Sequence, residues 1–313
     1  MPVYQLGNGN DDFNSQNQVD WTNDSAVFGG NGNDTIIARA LSPTYTSHLF
    51  VDGGNGNDSI LLDAGNSIAS GGNGNDTLTS EGGLGNTLIG GNGRDTLISL
   101  GGGSGMGPGN TLTGGLGRDT FILVNDGNLV VTNQQFGGGL ISDGDTFIGP
   151  MDVITDYQRG EHIGLRQYDI NANGPAAEDV PLARINGSVT VVNDPLPHTG
   201  ETYRPAIDSA EYAVFHGTFA GGNTFTVNAN GPDLFAVYDT RTGPFELVGK
   251  GSLVLQGVTD ERLLAEALSP STAQKPGGGW SYSFDQSGGS QAAAMSAILD
   301  PADSTGAMGV IPA

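Results

Sequence analysis

The sequence predicts an all-β protein, with an N-terminal right-handed parallel β-roll followed by a β-rich C-terminal domain that has one or two short helices. Three observations predict this fold. A short segment rich in glycine and aspartate recurs through the first 124 residues. Glycine makes up 53 of the 313 residues, far above its usual share of about 7%. A large apolar residue follows each copy in the same register, which favours stacked coils over a disordered chain.

The repeated unit is GGxGxD, followed by one further residue and a large apolar residue. Successive copies start 18 to 24 residues apart, a period typical of solenoids in which each repeat is one coil. The copies start at Leu6, which replaces the first glycine, and at Gly29, Gly53, Gly71, Gly90 and Gly114. We expect the apolar residues after the turns to point inward and stack as the core: Phe13, Ile36, Ile60, Leu78, Leu97 and Phe121.

A weaker motif, a small or polar residue followed by an apolar one, predicts a second strand in each coil. Its apolar positions are Ala26, Leu49, Ile68, Leu88 and Leu112. From these positions to the next strong apolar residue the chain advances 9 to 11 residues, whereas the return distance ranges from 8 to 15. One edge of the roll is therefore predicted to be a uniform turn, and the other edge to carry loops of variable length.

The uniform turn has the composition of a calcium site. Glycine permits positive φ, so the turn can be tight and its carbonyls can point at one spot. Calcium takes about six to eight oxygen ligands and accepts carbonyls among them. One turn cannot supply so many, so we expect each ion between neighbouring coils, with about four to six ions in all. In a metal-free roll, like charges would stack about 4.8 Å apart, which disfavours that alternative.

These segments resemble the nonapeptide repeats of the RTX (repeats-in-toxin, haemolysin-type calcium-binding) family of type I-secreted bacterial proteins. The resemblance covers residues 6–124 and implies a calcium-loaded parallel β-roll. The turns on the opposite edge, GGLGN from Gly82 and GGSGMGPGN from Gly102, lack the aspartate. We therefore expect one column of ions rather than the two of a regular roll.

The resemblance also implies which residues bind calcium. The implied side-chain ligands are Asp34, Asp58, Asp76, Asp95 and Asp119, with Asp11 as a less regular sixth. Turn carbonyls supply the remaining ligands, and the candidate residues are Gly29, Asn31, Gly32, Gly53, Asn55, Gly56, Gly71, Asn73, Gly74, Gly90, Asn92, Gly93, Gly114, Leu116 and Gly117.

Two further segments follow the repeats. DVITDYQRGEHIGL, residues 152–165, resembles the block that closes RTX rolls, and we predict that it caps the apolar end. In the block of the RTX family, an acidic residue usually stands at the position that His162 has here. Asp169, Asn171 and Asn173 have the spacing of an EF-type calcium loop, but its twelfth position is a valine, and an ordinary turn is the favoured alternative.

The rest of the chain divides into a β-rich segment and a tail. Residues 180–258 alternate polar and apolar residues as antiparallel strands do, and residues 259–268 and 291–299 predict short helices. We therefore expect a roll over 1–150, a β-rich cap and C-terminal domain over 151–270, and a tail over 271–313, to which the family resemblance assigns a secretion signal.

Charge and composition limit the partners. The net charge is −23, which disfavours nucleic acid and anionic membranes and attracts cations. No apolar run approaches the roughly 18 residues of a membrane span, so we expect no membrane insertion. The first residues lack a basic and apolar leader, so we expect export without an N-terminal signal peptide and an extracellular or cell-surface location.

Function beyond calcium binding is less determined by the sequence. It contains neither HExxH nor GxSxG, motifs of metalloproteases and serine hydrolases, so we expect no enzyme activity. The favoured hypothesis is a structural surface protein, an S-layer, sheath or filament subunit that self-assembles into homo-oligomers or a polymer. A secreted adhesin or ligand-binding module is second, and an enzyme with unrecognised chemistry is third.

Overall fold

The structure is a computed structural model of the chain, and most of residues 1–268 can be described. The described residues are 1–18, 20, 22–41, 47–81, 85–100, 108–124, 129–132, 140–166, 168–169, 174–180, 182–184, 190–193, 203–207, 211–240 and 251–268. All of them lie in one compact unit, Met1–Ser271. The tail over 271–313 and the predicted helix over 291–299 lie outside the described residues.

Two parallel sheets face each other and form the predicted roll. One face consists of β1 (Val3–Asn8), β3 (Ala26–Asn31), β5 (Phe50–Asn55), β7 (Ile68–Asn73), β9 (Thr87–Gly93), β11 (Thr111–Gly117) and β15 (Asp152–Ile154). The other face consists of β2 (Asp12–Asn14), β4 (Thr35–Arg39), β6 (Ser59–Asp63), β8 (Thr77–Glu81), β10 (Thr96–Leu100), β12 (Thr120–Val124) and β16 (His162–Leu165). Each coil contributes one strand to each face, because the glycine turn reverses the chain between them.

The core lies between the two faces, and its register is strict. The predicted apolar column from Phe13 to Phe121 is buried, at 5% exposure or less, which confirms that it points inward. Nine residues separate the two inward residues of every coil: Tyr4 and Phe13, Val27 and Ile36, Val51 and Ile60, Ala69 and Leu78, Leu88 and Leu97, Leu112 and Phe121, Ile154 and Ile163.

The weak motif lies at or next to the start of the second strand of each coil, but in three coils its apolar residue is not the one that pairs in the inward register. Ala26 and Ile68 precede the inward residues, and Ile68 is 40% exposed on the outer face. Leu49 is buried, but it lies two residues before the inward Val51. The small-then-apolar motif follows the variable loop, whereas the fixed turn sets the register of the strand that leads into it.

The segment over 152–165 forms a seventh coil of the roll. β15 pairs in parallel with β11, and β16 pairs in parallel with β12. The predicted boundary at residue 150 therefore falls between the sixth coil and the seventh.

Antiparallel strands and one helix follow the roll. The strands are β13 (Val130–Thr132), β14 (Thr146–Ile148), β17 (Tyr168–Asp169), β18 (Gly174–Pro175), β19 (Ala183–Arg184), β20 (Thr190–Asn193), β21 (Tyr203–Ala206), β22 (Glu211–Phe219), β23 (Thr224–Val227), β24 (Asp233–Tyr238) and β25 (Gly251–Leu255). β22, β24 and β25 pair antiparallel in that order, as predicted, and enclose a second core around Phe147, Phe225 and Phe235.

The C-terminal end of the roll is closed by this later part of the chain. β25 pairs in parallel with β15 and so covers the end of one face. The helix α1 (Glu261–Leu268), predicted over 259–268, packs beside β16, where Leu264 and Ala267 join the roll core. None of the helices among the described residues is long and apolar enough to cross a membrane.

Candidate metal centre

The aspartates that close the uniform turns form one continuous column. In each of them after Asp11, Oδ1 accepts a hydrogen bond from the backbone N–H of the aspartate one coil earlier. The N–H to Oδ1 pairs are Asp11 to Asp34 at 2.8 Å, Asp34 to Asp58 at 2.7 Å, Asp58 to Asp76 at 2.7 Å, Asp76 to Asp95 at 2.8 Å and Asp95 to Asp119 at 2.8 Å. These bonds fix one carboxylate oxygen of each aspartate from Asp34 onward.

The other carboxylate oxygen of these side chains is buried and has no hydrogen-bond partner. This holds for Oδ2 of Asp11, Asp34, Asp58, Asp76, Asp95 and Asp119. A buried carboxylate oxygen without a partner is strongly destabilising unless a cation or donor compensates it. A column of such atoms therefore fits a column of cations.

Carbonyl oxygens converge on the same places. An ideal Cβ on Gly90 would lie 2.5 Å from Oδ2 of Asp95 and 2.6 Å from the carbonyl oxygen of Gly114 in the next coil. Gly53 has the same surroundings, with Oδ2 of Asp58 and, at 2.7 Å, the carbonyl oxygen of Gly71. A side chain at the first glycine would fill the space between carboxylate and carbonyl, so the glycine keeps this space open.

The later glycines of each turn need positive φ. Gly54 has φ of +102° and Gly56 has φ of +134°, conformations that other L-residues rarely adopt. A Cβ at these positions would also collide with the carbonyl oxygens of Gly30 and Gly32 in the preceding coil. The turns stack closely because these positions have no side chain.

Stacking perturbs the charges of the column. The pKa of Asp76 is raised to about 7, chiefly by burial and also by the carboxylates of Asp95 and Asp58, and the hydrogen bond from the Asp58 N–H lowers it in part. Burial likewise raises the pKa of Asp95 to about 6, and it raises the pKa of Asp58 and of Asp119. Near neutral pH the column therefore favours bound protons or metal ions over bare charges.

The residues between the glycines form exposed amide ladders. The side chain of Asn55 donates to Oδ1 of Asn31 at 2.9 Å, and Asn73 donates to Asn55 at 2.8 Å. Their backbone carbonyls accept N–H bonds from the preceding coil, for example from Gly32 to Asn55 at 2.8 Å. These predicted carbonyl ligands thus also hold the coils together. The ladder ends at Leu116, which is 70% exposed.

The last member of the carboxylate column, Glu161, lies outside the repeat motif. The pairing of Thr120 with His162 places Glu161, not His162, opposite Asp119, so the assignment of the acidic position to His162 was wrong. Glu161 is 5% exposed, and burial raises its pKa to about 7. Glu161 lies two residues before the inward Ile163, just as Asp119 lies two residues before the inward Phe121. This spacing is the sequence signal that identifies it.

Asp156 is a second residue beside the column that the repeat motif does not include. Its two carboxylate oxygens accept the backbone N–H groups of Gly114 at 2.9 Å and Gly115 at 2.8 Å. The side chain of Gln158 donates to the Gly115 carbonyl at 3.0 Å. Asp156 and Gln158 therefore replace the turn of a further coil and cap the aspartate edge.

The predicted EF-type loop is described only at its ends. Asp169 pairs with Gly174 in the short hairpin of β17 and β18, and Asn171 and Asn173 lie outside the described residues. The choice between calcium loop and ordinary turn stays a prediction.

The donor set of the column fits calcium. Among the described residues, no three His, Cys, Asp or Glu side chains gather where they could hold a metal ion. The oxygens that face the turns are the Oδ2 atoms of the aspartates and the glycine carbonyls, and these would hold a cation there. Calcium accepts such an all-oxygen set, whereas transition metals favour nitrogen and sulfur ligands.

The fold and the turns define a parallel β-roll with stacked glycine–aspartate turns. The sequence model of the family described as RTX calcium-binding nonapeptide repeat matches four copies, over residues 24–40 and 52–85. The chain therefore carries RTX repeats, the family that its sequence resembles, and RTX nonapeptide repeats bind Ca²⁺. No curated protein matches the chain.

Proposed function

We propose that this chain is a secreted RTX protein that folds on extracellular calcium and serves a structural role at the cell surface. The observation that carries the calcium step is the column of buried Oδ2 atoms without partners, from Asp11 to Asp119. Calcium would neutralise these oxygens and be held between the turns by Asp Oδ2 and glycine carbonyls.

The energy is large enough for a folding switch. Extracellular calcium sites have dissociation constants of about 10⁻⁴–10⁻³ M. At roughly 10 mM calcium each site then adds about 1.4–2.7 kcal/mol to the free energy of unfolding. Five such sites would add about 7–13 kcal/mol, comparable to the whole stability of a domain, about 5–15 kcal/mol. Submicromolar calcium would add almost nothing, so the chain would stay unfolded until export.

The structural role rests on the shape of the roll and on its chemistry. The first coil leaves β1 and β2 without a further strand beyond them in the described part of the sheets, and such edges pair readily with other chains. The described residues also contain no cluster of titratable side chains that resembles a catalytic metal site. These features favour a non-enzymatic protein that associates with copies of itself.

A secreted adhesin or ligand-binding module is the second candidate. The antiparallel unit around β22 and β24 has its own aromatic core, in which Phe147 and Phe235 lie 4.8 Å apart between ring centroids. A separate core would allow this unit to bind a ligand while the roll serves as a calcium-dependent stalk.

Circular dichroism and light scattering of the purified full chain test the proposal. We expect a β-sheet spectrum in 10 mM calcium and the loss of most of that signal in EGTA, where a smaller, weakly stable folded population remains; an unchanged spectrum would contradict calcium-dependent folding. Size-exclusion light scattering in calcium separates the two roles. Particles larger than a monomer favour the structural role, and a compact monomer favours the binding module.

A further inference from the structure

The edge opposite the aspartate column carries a side-chain ladder of its own. There the N–H of Ser67 donates to Oδ1 of Asn86, the N–H of Asn86 to Oδ1 of Asn110, and the N–H of Asn110 to Oδ1 of Asp152, each at 2.9 Å. One coil earlier, the N–H of Leu49 donates to Oγ of Ser67 at 2.9 Å. The geometry matches the inter-coil bonds of the aspartate column.

The second polar atom of each asparagine is satisfied within the protein. Nδ2 of Asn86 donates to Oγ of Ser80 at 2.9 Å and to the carbonyl of Ala64 at 2.5 Å. Nδ2 of Asn110 donates to Oγ of Ser99 at 2.9 Å. On the aspartate edge the corresponding Oδ2 atoms have no partner, and the carboxylate that ends the asparagine ladder, Asp152, has one such oxygen too.

The serines that receive these amides stand in the core. Ser80 and Ser99 occupy an inward position of their sheet and are at most 1% exposed. In the neighbouring coils the register places Leu62 and Leu123 at this position. A buried hydroxyl destabilises the fold unless it is hydrogen-bonded, so these serines are explained by the asparagines that they contact.

We infer that Asn86 and Asn110 are the residues that keep calcium off this edge of the roll. Their amide NH₂ groups supply, from the protein itself, the positive hydrogen-bonding partner that the aspartate edge takes from a cation. The inference rests on the proposed calcium binding of the aspartate column, and it explains why that edge would require calcium along its length, whereas on the opposite edge Oδ2 of Asp152 is the one ladder oxygen among the described residues without a partner.

The test converts the amides to carboxylates in the full chain. In the double variant Asn86→Asp/Asn110→Asp, each buried NH₂ donor becomes a carboxylate oxygen, and two negative charges are added next to the buried carboxylate of Asp152. We expect a larger gap in melting temperature between 10 mM calcium and EGTA than in wild type, and about one more calcium ion bound per chain by equilibrium dialysis. Asn230→Asp, the same change in an exposed turn, is the matched control and should leave both values unchanged.

The reciprocal variant keeps the inference testable if the double variant does not fold. Asp76→Asn gives the aspartate edge an amide, and we expect about one fewer bound ion and a narrower gap between the two melting temperatures. A double variant with the wild-type gap and ion count, or an Asp76→Asn variant with no loss of bound calcium, would overturn the inference. Absence of calcium binding by wild type would instead overturn the proposed function.

Discussion

Removing one rung of the aspartate column, by Asp95→Ala, should lower the free energy of unfolding in calcium but change it little without calcium. The variant deletes a carboxylate that is 1% exposed, together with the acceptor of the Asp76 N–H, at 2.8 Å. In 10 mM calcium the loss comprises one site, about 1.4–2.7 kcal/mol, and one buried unpaired N–H, about 1–3 kcal/mol. We therefore expect a decrease of about 2–6 kcal/mol in the free energy of unfolding.

Without calcium the same variant should be close to neutral. It still loses the acceptor of the Asp76 N–H, but it also removes a buried carboxyl whose pKa is raised to about 6 by burial, and the repulsion of its neighbours falls with it. Urea unfolding followed by circular dichroism, with calcium and with EGTA, measures both cases. Asp63→Ala, on the outer face of the roll with 37% side-chain exposure and an ion pair to Arg39, is the control.

The comparison with the control decides the result. An exposed ion pair contributes about 0–1 kcal/mol, so Asp63→Ala should change stability little, and equally in both buffers. If Asp95→Ala lowers stability by the same amount with calcium and with EGTA, the carboxylate acts only through its backbone hydrogen bond, and the reasoning fails.

Three further predictions concern the same roll. In EGTA the free energy of unfolding should fall as pH rises from about 4 to 7. The pKa of Asp76 is raised from 3.8 to about 7 in the fold, so in this range the folded state binds more protons than the unfolded chain. A circular dichroism β-signal that grows with pH would contradict this. Gly90→Ala should lower the free energy of unfolding in calcium by about 1–3 kcal/mol and lower the number of bound ions, because its Cβ would meet Asp95 Oδ2 and the Gly114 carbonyl. Isothermal titration calorimetry counts the bound ions, and an unchanged count would refute the site. Leu78→Ala should lower the free energy of unfolding by about 2–5 kcal/mol because it leaves a cavity in the core, where Leu78 is fully buried. Leu61→Ala on the outer face is the control, and equal urea unfolding midpoints for the two variants would contradict the register.

The sequence predicted the aspartate edge well because one short motif contains the whole turn. Gly90, Asp95 and Leu97 stand at fixed offsets, so the turn, the carboxylate and the inward residue follow together. The spacing fails where a coil lacks the motif. Glu161 lies in a turn without the glycine pair. Its position in the column is therefore shown by the pairing of β12 with β16 and not by the repeat motif.

The opposite edge shows why other features could not be predicted. The sequence shows that Asn86 and Asn110 end turns without aspartate, which predicts fewer ions. It does not show what replaces the ions, because the acceptors Ser80 and Ser99 come from the opposite face of the roll. Such hydrogen bonds depend on which coils are neighbours and on which side of the sheet each side chain lies. Only the strand register in the structure gives this information.

The two ends of the roll differ, and this limits how copies can assemble. At the C-terminal end β15 is paired with β25, and α1 packs beside β16. In the described part of the chain, β25 therefore occupies the edge that a second roll would extend on one face, and α1 lies beside the last strand of the other face. Stacking of rolls head to tail requires a free coil at both ends, so it would stop at the closed end. Two copies that meet through β1 and β2 would instead form a closed pair related by a two-fold axis. A polymer of this protein would need contacts on the outer faces of the sheets or in other parts of the chain, and the roll would then act as a calcium-stiffened spacer rather than as the polymerising element.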